Sequence, residues 1–287
     1  MTLSVAGPIV ILTALDIEYE AVRAHLADVT PRVHDAGTVF EIGDLSGSAR
    51  PVVLALTGPG NVGAGVLAER AIATFAPAAL LFVGIAGSLR KEVEVGDVVV
   101  ATRVVAYHGA REDRSGHHAR PRAWEASHVL EQAARRVARE SRRLAEIHFK
   151  PVAAGEVVLN APSSPLARQL HDSYDDAVAI EMESAGAAAA AHLNLGLPML
   201  TIRGISDSIH GVKEDSERDG WPLIAARRAA AVAAGVLARL PEPGPGSPPV
   251  HPAASVPAPV ALNVQNNHAS GSGVVFAVQG GNQTIFR

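Results

Sequence analysis

The chain has 287 residues, 48% of them hydrophobic, and a formal charge of −4 at neutral pH. That length allows one large domain or two small ones with a real core, and the charge balance excludes an electrostatic footprint for nucleic acid or an anionic membrane. There is no cysteine, which excludes disulfides, thiolate zinc sites and cysteine nucleophiles and suits a reducing cytoplasm.

No basic segment precedes the apolar stretch 5–15, so a signal peptide is not expected. Residues 9–13 read as a buried strand, and a helix over 16–26 opens with Asp16, Glu18 and Glu20, acids that suit a helix N-terminus. A strand over 52–56 runs into Gly58-Pro59-Gly60-Asn61-Val62-Gly63 and a helix over 62–75. That glycine pattern matches a dinucleotide fingerprint, which wants an acid at the end of the following strand. The following strand, 79–83, runs instead into Gly84-Ile85-Ala86-Gly87, so the glycines are read as a tight turn beside the site.

Further strands are expected over 98–105, 152–158, 177–180 and 198–202, and helices over 124–140, 184–193 and 221–240. The loop 107–122 carries Arg111, Arg114, Arg120 and Arg122 with His108, His117 and His118, against Glu112 and Asp113. It reads as a solvated charged loop or as cations for nucleotide phosphates. The histidines show no metal-ligand spacing. Apolar run 185–195 is too short to span a membrane, and 223–240 contains Arg227, Arg228 and Arg239. Alternating β and α units predict a three-layer α/β/α fold around a mostly parallel or mixed sheet.

Composition changes at Pro241: eight of the nineteen residues 241–259 are proline, and residues 260–286 contain no Lys, Arg, Asp or Glu. Three parts are expected: a catalytic domain over 1–240, an extended disordered linker over 241–259 and a short β-prone tail over 260–287.

The chemistry concentrates in Glu181-Met182-Glu183-Ser184 and in Ile205-Ser206-Asp207. Acids delivered by strand ends meet at one crevice of an open α/β sheet. Carboxylates in different protonation states suit a reaction through a cationic intermediate. Each acid alone also has an ordinary reading, as a first-turn charge for Glu18 and Glu183 and a turn residue for Asp207.

Ala14-Leu15-x-x-Glu18, Gly84-Ile85-Ala86-Gly87-Ser88-Leu89, Gly96-Asp97-Val98-Val99, Ile180-Glu181-Met182-Glu183 and Arg203-Gly204-Ile205-Ser206-Asp207 follow one another in order. Together they resemble the nucleoside phosphorylase/nucleosidase superfamily, and within it the methylthioadenosine/S-adenosylhomocysteine nucleosidase branch, over residues 9–240. The resemblance implies hydrolysis of a purine N-glycosidic bond without metal or organic cofactor. Asp207 would be the general acid toward N7 of the base, and Glu18 would activate the water. Glu183 would hold the ribose hydroxyls, Met182 would pack on the sugar, and Gly87, Leu159 and Ser206 would contact substrate.

Val158 falls where such enzymes place an aromatic that stacks on the base, which leaves the usual thioether substrates open against adenosine, AMP or ATP. Asp16, Glu18 and Glu20 would repel phosphate, and Ile85 replaces a serine of the glycine-rich turn, so water is favoured over phosphate as nucleophile. A phosphorolytic enzyme and a non-catalytic nucleoside-sensing module are the alternatives. The resemblance also implies at least a homodimer.

In the tail, Asn263-Val264-Gln265-Asn266-Asn267 and Val278-Gln279-Gly280-Gly281-Asn282-Gln283 flank an uncharged β-prone run. Such composition suits cross-β stacking or a disordered tail. Its arrangement resembles bacterial amyloid signalling motifs, similar to the RIP homotypic interaction motif. That likeness implies a templating partner with a matching motif and a role in bacterial defence.

Overall fold

The structure is a computed structural model that describes residues 7–140, 145–211 and 213–241. Beyond residue 241 the expected linker and the whole tail lie outside the described residues.

The first strand, β1 (Ile9–Thr13), is buried along its length. Ile9 and Ile11 point into one apolar layer while Val10 and Leu12 point into another, so both faces of the sheet are covered. β5 (Ala79–Ser88) repeats this, with Leu81 and Val83 on the first side and Leu80 and Phe82 on the second. An uninterrupted apolar run therefore marks a central strand, as expected from the sequence.

Around these lie β2 (Leu26–Val33), β3 (Val39–Leu45), β4 (Val52–Leu56), β6 (Val98–Ala106), β9 (Arg122–Glu125), β10 (Ile147–Ala154), β11 (Ala179–Glu181) and β12 (Met199–Ser208). They form one ten-stranded mixed sheet, ordered β11-β10-β6-β12-β5-β1-β4-β3-β2 with β9 beside β6. β1 runs parallel to β4 and β5, and β5 to β12, whereas β12 is antiparallel to β6. β11 pairs with β10 and also, antiparallel, with the end of β5. The five strands β5, β12, β6, β10 and β11 thus close a ring. β7 (Ala110–Asp113) and β8 (Gly116–Ala119) form a separate hairpin.

Helices α1 (Asp16–Arg23), α3 (His128–Glu140) and α7 (Trp221–Leu237) cover one face. The other is covered by α2 (Asn61–Phe75) and α5 (Ser184–Leu193). α4 (Pro165–Ser173) packs at a third cluster with Tyr107 and Leu159, and α6 spans Lys213–Arg218. α2 and α5 touch backbone to backbone: a Cβ on Gly186 would collide with the carbonyl of Asn61. The alanine-rich sequence of α5 serves this close approach. Among the described residues no helix is long and apolar enough to cross a membrane.

The three-layer expectation holds, with corrections at element ends. The strand expected over 152–158 ends at Ala154, and the helix expected over 124–140 begins at His128 because Trp124 belongs to β9. The loop 107–122 contains the β7–β8 hairpin. Arg111 and His118 there both pair with Asp113, and Tyr107 is buried.

Candidate active site

The parallel ladder β1–β5–β12 and the short β11 deliver their C-terminal ends to one cavity of about 240 Å³. Glu18, Gly87, Leu159, Met182, Glu183, Ser206 and Asp207 all line it, and so does Val158. Every substrate or catalytic position expected from the sequence therefore faces the same space. A larger cavity, about 580 Å³, opens at the start of β12 against Trp124, His128 and His192. It holds none of these residues.

Glu18 sits in the first turn of α1 but turns inward. Its carboxylate accepts from Ala14 N at 2.8 Å and Leu15 N at 3.0 Å, and from Ile85 N at 2.7 Å. Burial pushes its pKa up, against the opposing pull of Arg203 and these three N–H groups. The fold makes room for the pair at Gly84, where a Cβ would collide with Arg203 and Glu18.

Glu181 and Glu183 are neighbours in sequence with separate environments. Glu181 accepts from Glu183 N at 3.0 Å, Ser184 N at 2.9 Å and Ser184 Oγ at 3.0 Å. It caps the start of α5, and Arg203 Nη2 also donates to it. All four of those bonds fall on one oxygen, Oε2, and fix the carboxylate as an anchor. Glu183, the residue just before α5, accepts from Gly60 N at 3.3 Å and from Arg203 Nη2 at 3.3 Å. Burial raises its pKa, Arg203 opposes this, and the adjacent Glu181 charge raises it further. The Gly60 bond puts the glycine-rich turn beside the site, as read from the sequence.

Asp207 follows an irregularity in the β12–β5 ladder between Ile205 and Asp207. Ser206 Oγ donates to its Oδ2 at 2.8 Å. Gly87 leaves the space in front of it free, since a Cβ there would stand 3.0 Å from Asp207 Oδ1. Val157 and Val158, expected in a strand, instead stand exposed at the rim at 42% and 57%.

Arg203 was passed over as a functional residue by sequence reasoning. Its side chain is fully buried in β12, over the ring of Phe82 at 4.7 Å. Burial alone would favour its neutral form, yet Glu181, Glu183 and Glu18 outweigh that and keep it charged. The signal was available: an arginine inside an apolar strand must find acids. Asn61 and Glu156 were missed too. Away from the cavity, His148 Nε2 meets Asp97 Oδ2 at 2.9 Å with Glu146 nearby, and a side-chain pair accounts for that contact.

A three-layer fold with acids gathered at the strand ends of a mixed sheet defines an enzyme-type crevice, and its kind is shared. The chain belongs to the Phosphorylase superfamily, whose family model matches residues 8–240. The 5′-methylthioadenosine/S-adenosylhomocysteine nucleosidase of Actinobacillus succinogenes is 29% identical over 235 residues, 80% of this chain and 98% of that protein. The ATP nucleosidase Cap17 of Escherichia coli is 27% identical over 241 residues, 72% of this chain; the match spans 47% of that longer protein. The Neisseria meningitidis 5′-methylthioadenosine/S-adenosylhomocysteine nucleosidase, solved with methylthio-immucillin-A, superposes with a TM-score of 0.69 at 26% identity, covering 81% of this chain and 99% of that one. The Helicobacter pylori futalosine hydrolase shares the fold, with a TM-score of 0.68 at 23% identity, covering 80% of this chain and 97% of its own.

Proposed function

We propose that the chain hydrolyses the N-glycosidic bond of purine nucleosides or nucleotides, with no metal or organic cofactor. The observation that carries this is one cavity bearing Glu18, Glu183 and Asp207, with Arg203 charged behind them. Cleavage leaves positive charge on the ribose and negative charge on the departing base. Asp207 donates a proton to the base, and Glu183 binds the ribose hydroxyls and offsets the cationic charge. Glu18 orients and deprotonates water. Met182 packs on the sugar, while Gly87, Val158, Leu159 and Ser206 border the base and sugar.

Water is the nucleophile. The Ile85 N–H, which could have served an incoming phosphate, is already taken by Glu18. Four acids line the cavity, and none of its described lining residues is Lys or Arg. A phosphate dianion beside them would be repelled. Base release from adenosine, methylthioadenosine, AMP and ATP, with and without phosphate, tests this. Free ribose or its 5′-substituted form is expected in every active case; ribose 1-phosphate appearing only with phosphate would refute hydrolysis. The likeness to an ATP nucleosidase keeps nucleotides in the panel. Their phosphates would have to reach past the acid-lined cavity to cations such as those of the β7–β8 hairpin, and inertness of ATP would remove them.

The raised pKa of Glu18 gives a pH prediction. The base works ionised, and ionisation is lost as pH falls through a folded-state pKa that lies above the usual carboxylate value. The acid limb of the rate profile should therefore sit above pH 4.5, the unperturbed glutamate value. Glu18→Gln should lower the rate and remove the Glu18 share of that limb, leaving the share of Glu183, whose pKa burial also raises. A limb unchanged in Glu18→Gln would remove Glu18 as the base.

The proposal extends to assembly. The protein acts as a homo-oligomer whose tail, 260–287, stacks with a templating partner and clusters the enzyme as a bacterial defence effector. Cross-β strands repeat at about 4.8 Å, and a domain of this size is roughly 45 Å across. A proline-rich spacer of up to about 60 Å would let such domains fan out around a fibril. A peptide of residues 260–287 is expected to form thioflavin-positive fibrils; a soluble peptide, seeded or not, would reject the clustering.

A further inference from the structure

We propose that Asn61 is a positioning residue that clamps the cavity wall formed by residues 155–160 against the first turn of α5, and so sets substrate affinity. The inference rests on the nucleosidase reading for its kinetic part. Asn61 is the first residue of α2 and works in three directions. Its Nδ2 donates to Gly155 O at 2.6 Å and to Glu156 Oε1 at 3.0 Å. Its backbone N–H donates to the same Glu156 Oε1 at 3.1 Å. Its Oδ1 accepts from Gly186 N, in α5, at 3.1 Å.

The junction uses two side-chain donor hydrogens and one acceptor oxygen, the set a carboxamide carries, and the close passage of Asn61 over Gly186 fits the short side chain of Asn. The Glu156 carboxylate also meets the start of α2, where the helix dipole favours negative charge.

Beyond Asn61 and Glu156, the end of the wall nearest them has little else to hold it on the cavity side. Gly155 is pinned by Glu181 O at 3.0 Å and lies against the Tyr107 ring. The two residues after Glu156, Val157 and Val158, are largely exposed and supply little packing. Leu159 is held by its own burial in the third cluster, so Glu156 and Asn61 fix where Val157 and Val158 stand along the cavity. Glu18 and Asp207 enter from α1 and β12, which the Asn61 side chain does not touch. Loosening the wall should weaken contacts made equally in ground and transition states, which raises KM more than it lowers kcat.

The test uses the full chain. Asn61→Asp keeps the size and the acceptor for Gly186, but sets a carboxylate against Glu156 and Gly155 O. Glu156→Gln in the same chain returns a donor. With adenosine and methylthioadenosine, Asn61→Asp is expected to raise KM about tenfold with kcat within about threefold. The double variant should recover most of that loss. Hydrogen exchange of amides 155–160, measured without ligand, should quicken in Asn61→Asp and slow again in the double variant. An unchanged KM, or a loss confined to kcat that Glu156→Gln does not relieve, overturns the assignment. If the unsubstituted protein releases no base, the nucleosidase reading fails separately, and the exchange of 155–160 decides: rates equal in Asn61→Asp and wild type overturn the clamp.

Discussion

Asp207→Asn should lower base release by about 10²–10⁴-fold, the range for losing a positioned general acid, while adenine still binds. The amide matches the carboxyl in shape and can keep the Ser206 Oγ hydrogen bond, observed at 2.8 Å. It cannot hand over a proton. The base must then leave as an anion, and the other acids of the cavity give that charge no relief. Single-turnover release and calorimetric adenine binding separate the two effects. A rate within threefold of wild type would show that another group protonates the base.

Arg203→Met should cost about 3–5 kcal/mol of folding stability, as expected when one partner of a buried ionic set is removed. Arg203 has no exposed surface, and Glu181 and Glu183 both bond to it. Without it the Glu181 and Glu183 carboxylates lose their shared counter-ion while both remain buried in the protein. The midpoint and slope of urea unfolding measure the loss. Adding Glu181→Gln should restore part of it, because the amide removes one of the stranded charges. A stability change under 1 kcal/mol would mean that water reaches the cluster, contrary to its burial.

Much of the fold was legible because both-sided burial demands continuous aliphatic runs. Residues 9–13 and 52–56 were bounded correctly for that reason. β2 was missed: Leu26–Val33 is mostly exposed and contains Pro31 at the sheet edge, where no continuous apolar run is required. Residues 152–158 misled in the opposite way, since Val157 and Val158 look like strand but stand at the cavity rim. In the site, the acids could be found because strand ends converge. Their supports could not. Asn61 and Glu156 are 95 positions apart and Arg203 and Glu181 are 22 apart, and only the topology brings such pairs together.

The extra pairing of β11 has a mechanical consequence. Because β11 joins β10 on one side and β5 on the other, the five strands beneath the cavity form a hoop with no free edge. Asp207, Gly87 and Glu181 all lie on its circumference. Detaching any one of these strands means breaking two ladders, so the strands that carry these residues have no free edge from which to fray. The lining residues Val157, Val158, Leu159 and Asn160 belong to a segment outside the hoop. The acids can then stay in register while that segment changes.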